Sequence, residues 1–124
     1  MLCSDESKRT KVGSRIAKTV KEAVDMVKHI VLWNFKEGMT EEEKADAAVR
    51  MKSELEAIKP LVDGAVEIQV IKNEMASSNR DIALISTFET EEALKTYQEH
   101  PAHVEAGKFV RSVTENRACM DYEF

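Results

Sequence analysis

The segment from Met26 to Phe35 constrains the fold more than any other, because it places apolar side chains on both faces of a strand. Side chains alternate along one face in the series Val27, His29, Val31, Trp33 and Phe35. Ile30 and Leu32 lie on the opposite face. Alternation is typical of a β-strand, and apolar residues on both faces are typical of a strand that is covered on both sides. This strand therefore requires packing partners above and below its sheet.

The remaining sequence predicts helices and strands in the order β-α-β-β-α-β. A capping box of Thr40 and Glu43 begins the first helix, which Pro60 ends. The apolar face of this helix is predicted to contain Ala45, Ala48, Met51, Leu55 and Ile58. Further strands are predicted over 65–72, 81–89 and 117–124, and the second helix begins at Thr90 and restarts at Pro101. We therefore predict an α+β fold, a ferredoxin-like βαββαβ domain with a four-stranded antiparallel sheet.

One face of this predicted sheet lacks a cover within the chain. Two helices cover only one face, and the third strand also carries apolar residues, Ala83 and Ile85, on its second face. A large exposed apolar patch is rare in soluble monomers, and a second copy related by a two-fold axis would cover it. We therefore predict a homodimer. The alternative is that residues 14–25 fold back over the open face, but that segment is short and highly charged.

Residues 1–25 differ in composition from the rest of the 124-residue chain. They carry six basic and four acidic residues, a balance of +2, whereas residues 26–124 carry twelve and nineteen, a balance of −7. We predict an N-terminal extension over 1–25, flexible or with a short helix, and one domain over 26–124. The acidic domain disfavours nucleic acid as a partner. No apolar run reaches the roughly 20 residues of a membrane helix, so we expect no membrane partner.

The first residues lack the apolar segment of a secretory signal. Cys3 and Cys119 are the only cysteines in the sequence, and they show no paired spacing. Together these features predict free thiols in a cytoplasmic protein.

The three histidines occupy two short segments and are the best candidates for chemistry. His29 lies in the first strand, and His100 and His103 flank Pro101-Ala102. His103 falls in the first turn of a helix, where the helix dipole disfavours the imidazolium. A neutral imidazole at that position can abstract a proton α to a carbonyl. Packing of the helix start is the structural alternative for His103.

Further side chains are predicted to assist His103 or to line a pocket. His29 would orient a ligand carbonyl, with a satisfied core residue as the alternative, and Tyr97 would steer His103 or simply bury its ring. The predicted substrate-binding residues are Val31, Trp33, Met51 and His100. We expect no cofactor, because the sequence contains no Gly-rich phosphate loop or Ser-His-Asp order. We also expect no metal, because two histidines with Glu99 or Glu105 match no known ligand spacing.

Several blocks of the sequence resemble the stress-responsive A/B barrel family, also called the dimeric α+β barrel family. The blocks are Val27 to Lys36, Ser86 to Glu89, Tyr97 to Val104, and Met120-Asp121-Tyr122. The block His-Pro-Ala-His-Val, residues 100–104, is the most specific of them. The resemblance implies two protomers whose sheets pack into a barrel, each with its own cavity between sheet and helices.

A plant polyketide cyclase of this family performs an intramolecular aldol condensation without a cofactor. The resemblance places its functional histidines and tyrosine on His29, Tyr97 and His103. Its pocket is not retained, because aromatic residues of its first helix fall here on Ala48 and Met51. A Gly and a Phe of the cyclase fall on Glu105 and Ala106, which predicts a new carboxylate near the cavity mouth.

Two main hypotheses for function follow. The first is cofactor-free proton abstraction from a small carbonyl compound, in an aldol-type cyclisation or an isomerisation. The second is a non-catalytic, stress-related dimer that binds a small molecule or has a structural role. Cofactor-free monooxygenases of related fold give a third, weaker alternative. A cavity with His103 in its wall would favour the enzyme, and a cavity filled by Met51, Trp33 and Phe109 would favour the second hypothesis.

Overall fold

The structure, a computed structural model, describes residues 26–124, so the predicted extension over 1–25 lies outside the described residues. Its elements follow the predicted order: β1 (Val27–Phe35), α1 (Glu41–Glu56), a 3-10 turn (Lys59–Leu61), β2 (Ala65–Lys72), β3 (Ile82–Phe88), α2 (Glu91–Glu99), α3 (Pro101–Val113) and β4 (Thr114–Glu123). The strands form one antiparallel sheet in the order β2-β3-β1-β4. This arrangement confirms the predicted α+β, ferredoxin-like fold.

Strand β1 lies inside the sheet, and its alternation determines which side chains meet the helices. Burial alternates along the strand, with every second residue from Val27 to Phe35 buried. In the pairing register, His29 lies beside Ser86 of β3 and Asp121 of β4. The Ser86 hydroxyl donates a hydrogen bond to the His29 carbonyl over 2.7 Å, which joins β1 to β3 inside the core. His29 therefore belongs to the helix-covered face.

Helix α1 begins with the predicted capping box. The Thr40 hydroxyl accepts a hydrogen bond from the Glu43 amide over 3.0 Å, and the Glu43 carboxylate accepts one from the Thr40 amide over 2.9 Å. The buried side of the helix consists of Ala47, Ala48, Met51 and Leu55. The prediction that Ala45 belongs to this side was wrong, because two residues before Ala47 correspond to about 200° of helix rotation. No helix within residues 26–124 is long and apolar enough to cross a membrane.

The last strand begins earlier than predicted and contains a bulge. It begins at Thr114 rather than at Arg117, directly after α3. The register with β1 shifts between Leu32 and Asn34, and Asn116 adopts a positive φ of 57°. Asparagine tolerates this left-handed conformation better than most residues. The bulge precedes Arg117 and leaves it on the helix-covered face of the sheet.

The second face of the sheet carries no helix of the described chain. Ile30 and Leu32 of β1 and Ile85 of β3 are half-buried there, and Met120 of β4 is 64% exposed. Ile71 of β2 and Tyr122 of β4 are exposed as well. We call this surface the open face. It is the apolar surface that the sequence predicts.

Candidate active site

A cavity of about 250 Å³ lies between the sheet and helix α3. Its wall is formed by His29, Val31, Trp33, Leu55, Leu84, Tyr97, His103, Gly107, Val110, Arg111 and Arg117. The cavity is lined mainly by apolar groups, with a few converging polar ones, which is the usual character of a small-molecule site. Of the predicted substrate-binding residues, Val31 and Trp33 are part of this wall.

Side-chain contacts from the neighbouring edge strand hold His29 in this wall. The ring is 2% exposed. Nδ1 of His29 donates a hydrogen bond to the Asp121 carboxylate over 2.5 Å. In a neutral imidazole, this arrangement leaves Nε2 as the acceptor nitrogen. The carboxylate thus orients the ring of His29 from outside the cavity.

Tyr97 is fully buried and lies between the two histidine rings. Its ring centroid is 4.5 Å from that of His103 and 6.3 Å from that of His29, both in edge-to-face geometry. Phe88 packs against the same ring at 5.1 Å. Within the described residues, the Tyr97 hydroxyl has no hydrogen-bond partner. Burial raises the pKa of this phenol, so the hydroxyl keeps its proton and remains a donor.

The break between α2 and α3 positions His103. His100 has an extended backbone, as expected before proline, and Pro101 begins α3. Nδ1 of His100 accepts a hydrogen bond from the Ala102 amide over 3.0 Å, which caps the helix. His103 therefore occupies the first turn and reaches the cavity wall.

The pKa of His103 lies below its ordinary value of 6.5, chiefly because burial disfavours the charged ring. A backbone hydrogen bond to Gln98 opposes this shift, whereas the positive charges of Arg111 and Arg117 and the neighbouring His29 add to it. The imidazole of His103 is therefore neutral at pH 7. A neutral imidazole is the form that accepts a proton.

Three predicted features of the pocket lie elsewhere. Met51 is fully buried in the core but is not part of the cavity wall. His100 uses its ring nitrogen as the helix cap and does not line the cavity. Glu105, the expected carboxylate near the mouth, instead pairs with Lys108 over 2.9 Å on the exposed side of α3. Helical spacing assigned these three residues to helices or helix ends. It did not indicate which side of each helix faces the cavity.

Sequence reasoning missed two arginines of the cavity wall, Arg111 and Arg117. The signal for Arg111 was present, because His103, Gly107 and Arg111 are spaced by four residues and share one helix face. The signal for Arg117 was absent, because its place depends on the bulge at Asn116 and on the pairing of β4 with β1.

One cluster of the described residues has the composition of a metal site. Ligand atoms of His29, Cys119 and Asp121 lie within 4.8 Å of one another. Nitrogen, sulfur and carboxylate ligands suit a transition metal such as zinc. The Asp121 carboxylate already accepts the His29 hydrogen bond, and burial, together with the Asp121 charge, raises the pKa of the exposed Cys119 thiol. We therefore interpret the contact as one that orients His29.

A wider groove of about 650 Å³ lies on the other side of α3. It is lined by the loop around Gly38, by α1 and by the end of α3, where Arg50 stacks on Phe109 at 3.8 Å. The described residues that line this groove include no histidine or tyrosine. Phe109 therefore does not fill the smaller cavity, and of the two only the smaller one is lined by His29, Tyr97 and His103.

Comparison with known families identifies the domain. The family model of the stress responsive A/B barrel domain matches residues 27–124. The chain belongs to the stress responsive A/B barrel family. This result confirms the resemblance that the sequence blocks indicate. No protein in a comparison with curated proteins matches the chain.

Solved structures similar to this A/B barrel protein share its fold. A Bacteroides fragilis protein of unknown function, described as dimeric and ferredoxin-like, is 38% identical. The match covers 80% of this chain and 96% of that chain, with a TM-score of 0.75. A Dabb family protein from Mesorhizobium loti is 22% identical, with coverages of 79% and 95% and a TM-score of 0.59.

One similar structure has a named activity. It is a hydroxynitrile lyase from Passiflora edulis, which is 14% identical, with a TM-score of 0.64. The match covers 82% of this chain and 94% of the lyase. At this identity the likeness shows a shared fold only, so the chemistry of this A/B barrel protein has to be argued from its own cavity.

Proposed function

We propose that this A/B barrel protein is a homodimer in which each protomer binds a small carbonyl compound in the cavity beside His103. His103 abstracts a proton α to the carbonyl, without a cofactor, in an aldol-type or isomerisation reaction. The observation that carries the proposal is the position of the Tyr97 hydroxyl. It is buried in the wall between two histidines and has no partner within the described residues.

His103 suits the role of general base in both geometry and charge. It lines the cavity, and burial and neighbouring positive charges keep its ring neutral at pH 7. Transfer of the substrate α-proton to the imidazole leaves an enolate, and the imidazolium that forms returns the proton to carbon or oxygen. Such general base catalysis contributes typically 10²–10⁴-fold in rate.

Tyr97 suits the stabilisation of the enolate oxygen. The Tyr97 hydroxyl is a protonated donor with no competing partner among the described residues, so a bound oxygen would satisfy it. Asp121 fixes the ring orientation of His29. These contacts support Tyr97 as the donor to the enolate oxygen, whereas the neutral His29 ring offers the acceptor nitrogen Nε2 and has no donor left for that oxygen.

Two observations support the homodimer. The open face carries apolar side chains that helices of the described chain do not cover, including Met120 and Ile71. The similar Bacteroides fragilis protein, 38% identical, is described as dimeric. A second open face related by a two-fold axis would cover the first.

Deuterium exchange tests the proton abstraction without knowledge of the natural substrate. Pyruvate, acetone and acetoacetate would be incubated with the protein in deuterated buffer, and loss of the α-proton signal followed by NMR. We expect catalysed exchange of at least one compound, and a decrease of about 10²-fold or more in His103→Gln. His100→Asn is the matched control, because it removes an imidazole but keeps a capping acceptor.

The pH dependence supplies a second readout. Because the neutral ring is the base, the exchange rate should rise with pH and level off at higher pH. The midpoint of this rise should lie below 6.5, the ordinary histidine pKa, because burial lowers the pKa of His103. A rate that His103→Gln leaves unchanged would exclude His103 as the base. Binding of these compounds without any catalysed exchange would favour the non-catalytic binder.

A further inference from the structure

We infer that Arg111 and Arg117 form an anion subsite at the mouth of the cavity, which selects carbonyl compounds that carry a carboxylate. Both arginines belong to the cavity wall together with Tyr97 and His103. The inference deepens the proposed function, since it names the substrate class of the same cavity. It rests on that function only for the position of the reacting carbonyl.

The charge of the wall is the first argument. Residues 26–124 carry a formal balance of −7, with twelve basic and nineteen acidic residues. The described residues that line the cavity reverse this sign, because they include two arginines and no carboxylate. A concave site lined by one sign of charge concentrates ligands of the opposite sign. The cavity is therefore suited to an anion in a protein that is otherwise acidic.

The pairing of the two guanidinium groups is the second argument. Six of the twelve basic residues within residues 26–124 pair with a carboxylate, such as Arg50 with Glu54 and Lys52 with Glu56. Within residues 26–124, neither Arg111 nor Arg117 forms an ion pair. Guanidinium donors match the geometry of a carboxylate in a bidentate way. Both groups therefore retain donors for a bound carboxylate.

Local structure holds each arginine at the cavity. A Cβ placed on Gly107 would lie 3.1 Å from Nη1 of Arg111, so the guanidinium rests against the bare backbone of this glycine. Gly107 also lines the cavity. On the other side, the bulge at Asn116 precedes Arg117, and the Asn116 carbonyl accepts a hydrogen bond from Arg80 over 3.1 Å. One arginine thus comes from α3 and one from the edge strand.

The size of the cavity limits the ligand. Its volume of about 250 Å³ is below the roughly 300–1,000 Å³ of sites for drug-sized ligands. With the carboxylate at the mouth and the carbonyl beside Tyr97 and His103, the fitting class is a short oxo acid.

A matched pair of probes tests the subsite. Acetoacetate and acetoacetamide have the same number of heavy atoms, but only acetoacetate carries a charge at neutral pH. Their affinities would be measured by NMR titration of the backbone amides at constant ionic strength. We expect acetoacetate to bind about tenfold more tightly, as charge-assisted hydrogen bonds at a partly exposed site allow.

Variants of the wall should remove this preference without unfolding the protein. Arg111 and Arg117 are exposed, so Arg111→Gln and Arg117→Gln should fold and bind the two probes equally. Arg50→Gln is the control, because it removes one positive charge outside the cavity and should keep the preference. Gly107→Ala should weaken acetoacetate binding by displacing Arg111, and it should retain or raise stability because alanine favours helix.

Each alternative result overturns the subsite. Equal affinities in the unmodified protein, a preference that survives both arginine variants, or no acetoacetate-dependent shifts at the cavity up to its solubility limit would exclude it. Failure of the proposed function is separable. If His103→Gln exchanged protons as fast as the unmodified protein while the acetoacetate preference persisted, the general base would be wrong and the anion subsite would stand.

Discussion

At the scale of single residues, Tyr97 combines two properties that rarely occur together. Its side chain is fully buried, yet within the described residues its hydroxyl has no hydrogen-bond partner. A buried polar group without a partner costs about 1–3 kcal/mol of stability. In the proposed function, this cost is offset because the hydroxyl, in the cavity wall between His29 and His103, donates to the bound substrate.

Substitution of Tyr97 should therefore separate stability from activity. In Tyr97→Phe we expect the free energy of unfolding to stay the same or to rise by up to about 1 kcal/mol, because no hydrogen bond is lost. The α-proton exchange rate should fall, since the enolate loses a donor. Urea unfolding and the deuterium-exchange assay measure the two effects.

Tyr122→Phe is the matched control for this experiment, because Tyr122 lies on the open face, away from the cavity. It should leave the exchange rate unchanged. A loss of more than about 1 kcal/mol in Tyr97→Phe would indicate that the hydroxyl makes a stabilising hydrogen bond in the native protein.

At the scale of elements, two glycines with similar backbone conformations have different surroundings. Gly38, in the loop after β1, has φ of +90°, and a Cβ there would meet nothing within 4 Å beyond its chain neighbours. Gly64, in the turn before β2, has φ of +87°, and a Cβ there would lie 2.7 Å from the Ala93 Cβ of α2. Gly64 therefore serves both the turn and the close approach of helix α2, whereas Gly38 serves only the loop conformation.

Alanine substitutions at Gly38 and Gly64 should separate the cost of backbone strain from the cost of the close contact with α2. We expect Gly38→Ala to lower the free energy of unfolding by about 1 kcal/mol through backbone strain alone. Gly64→Ala should lower it by about 3 kcal/mol, because overpacking adds to the same strain. Urea unfolding of both variants gives the comparison.

A rescue experiment isolates the contact with α2. Ala93→Gly in the Gly64→Ala background should recover part of the loss, although glycine inside a helix costs about 1 kcal/mol relative to alanine. Equal destabilisation by Gly38→Ala and Gly64→Ala would show that α2 moves away at little cost.

At the scale of the whole molecule, the open face is the proposed interface of the homodimer. Leu32 and Ile85 are half-buried in the middle of this face, and Met120 is exposed beside them. Light scattering at micromolar concentration should give twice the chain mass of 14.0 kDa. Leu32→Glu and Met120→Glu should give the single-chain mass, because a carboxylate in an apolar interface is desolvated without a partner.

The control for assembly is Val49→Glu, which changes an equally apolar residue on α1 that is 69% exposed. It should leave the dimer intact. Circular dichroism of Met120→Glu checks that the protomer remains folded. A mass of 14.0 kDa for the unmodified protein would contradict the homodimer.

The order and type of the elements follow from the sequence because the signals are local. The alternation of β1, the capping box at Thr40 and the proline at position 101 each act over a few neighbouring residues. The local signals failed at the start of β4, where the bulge at Asn116 depends on pairing with β1 rather than on the sequence around it.

The sequence by itself determined the βαββαβ order and indicated His29, Tyr97 and His103 as candidates, by residue type and by the resemblance to the family. Only the tertiary structure decided what surrounds them. The pairing of His29 with Asp121 joins residues 92 positions apart, and Arg117 reaches the cavity only because β4 pairs with β1 beyond a bulge. Local preferences extend over a few residues, whereas strand register and helix docking assemble a cavity wall from distant segments, and those long-range contacts are not encoded in any single stretch of sequence.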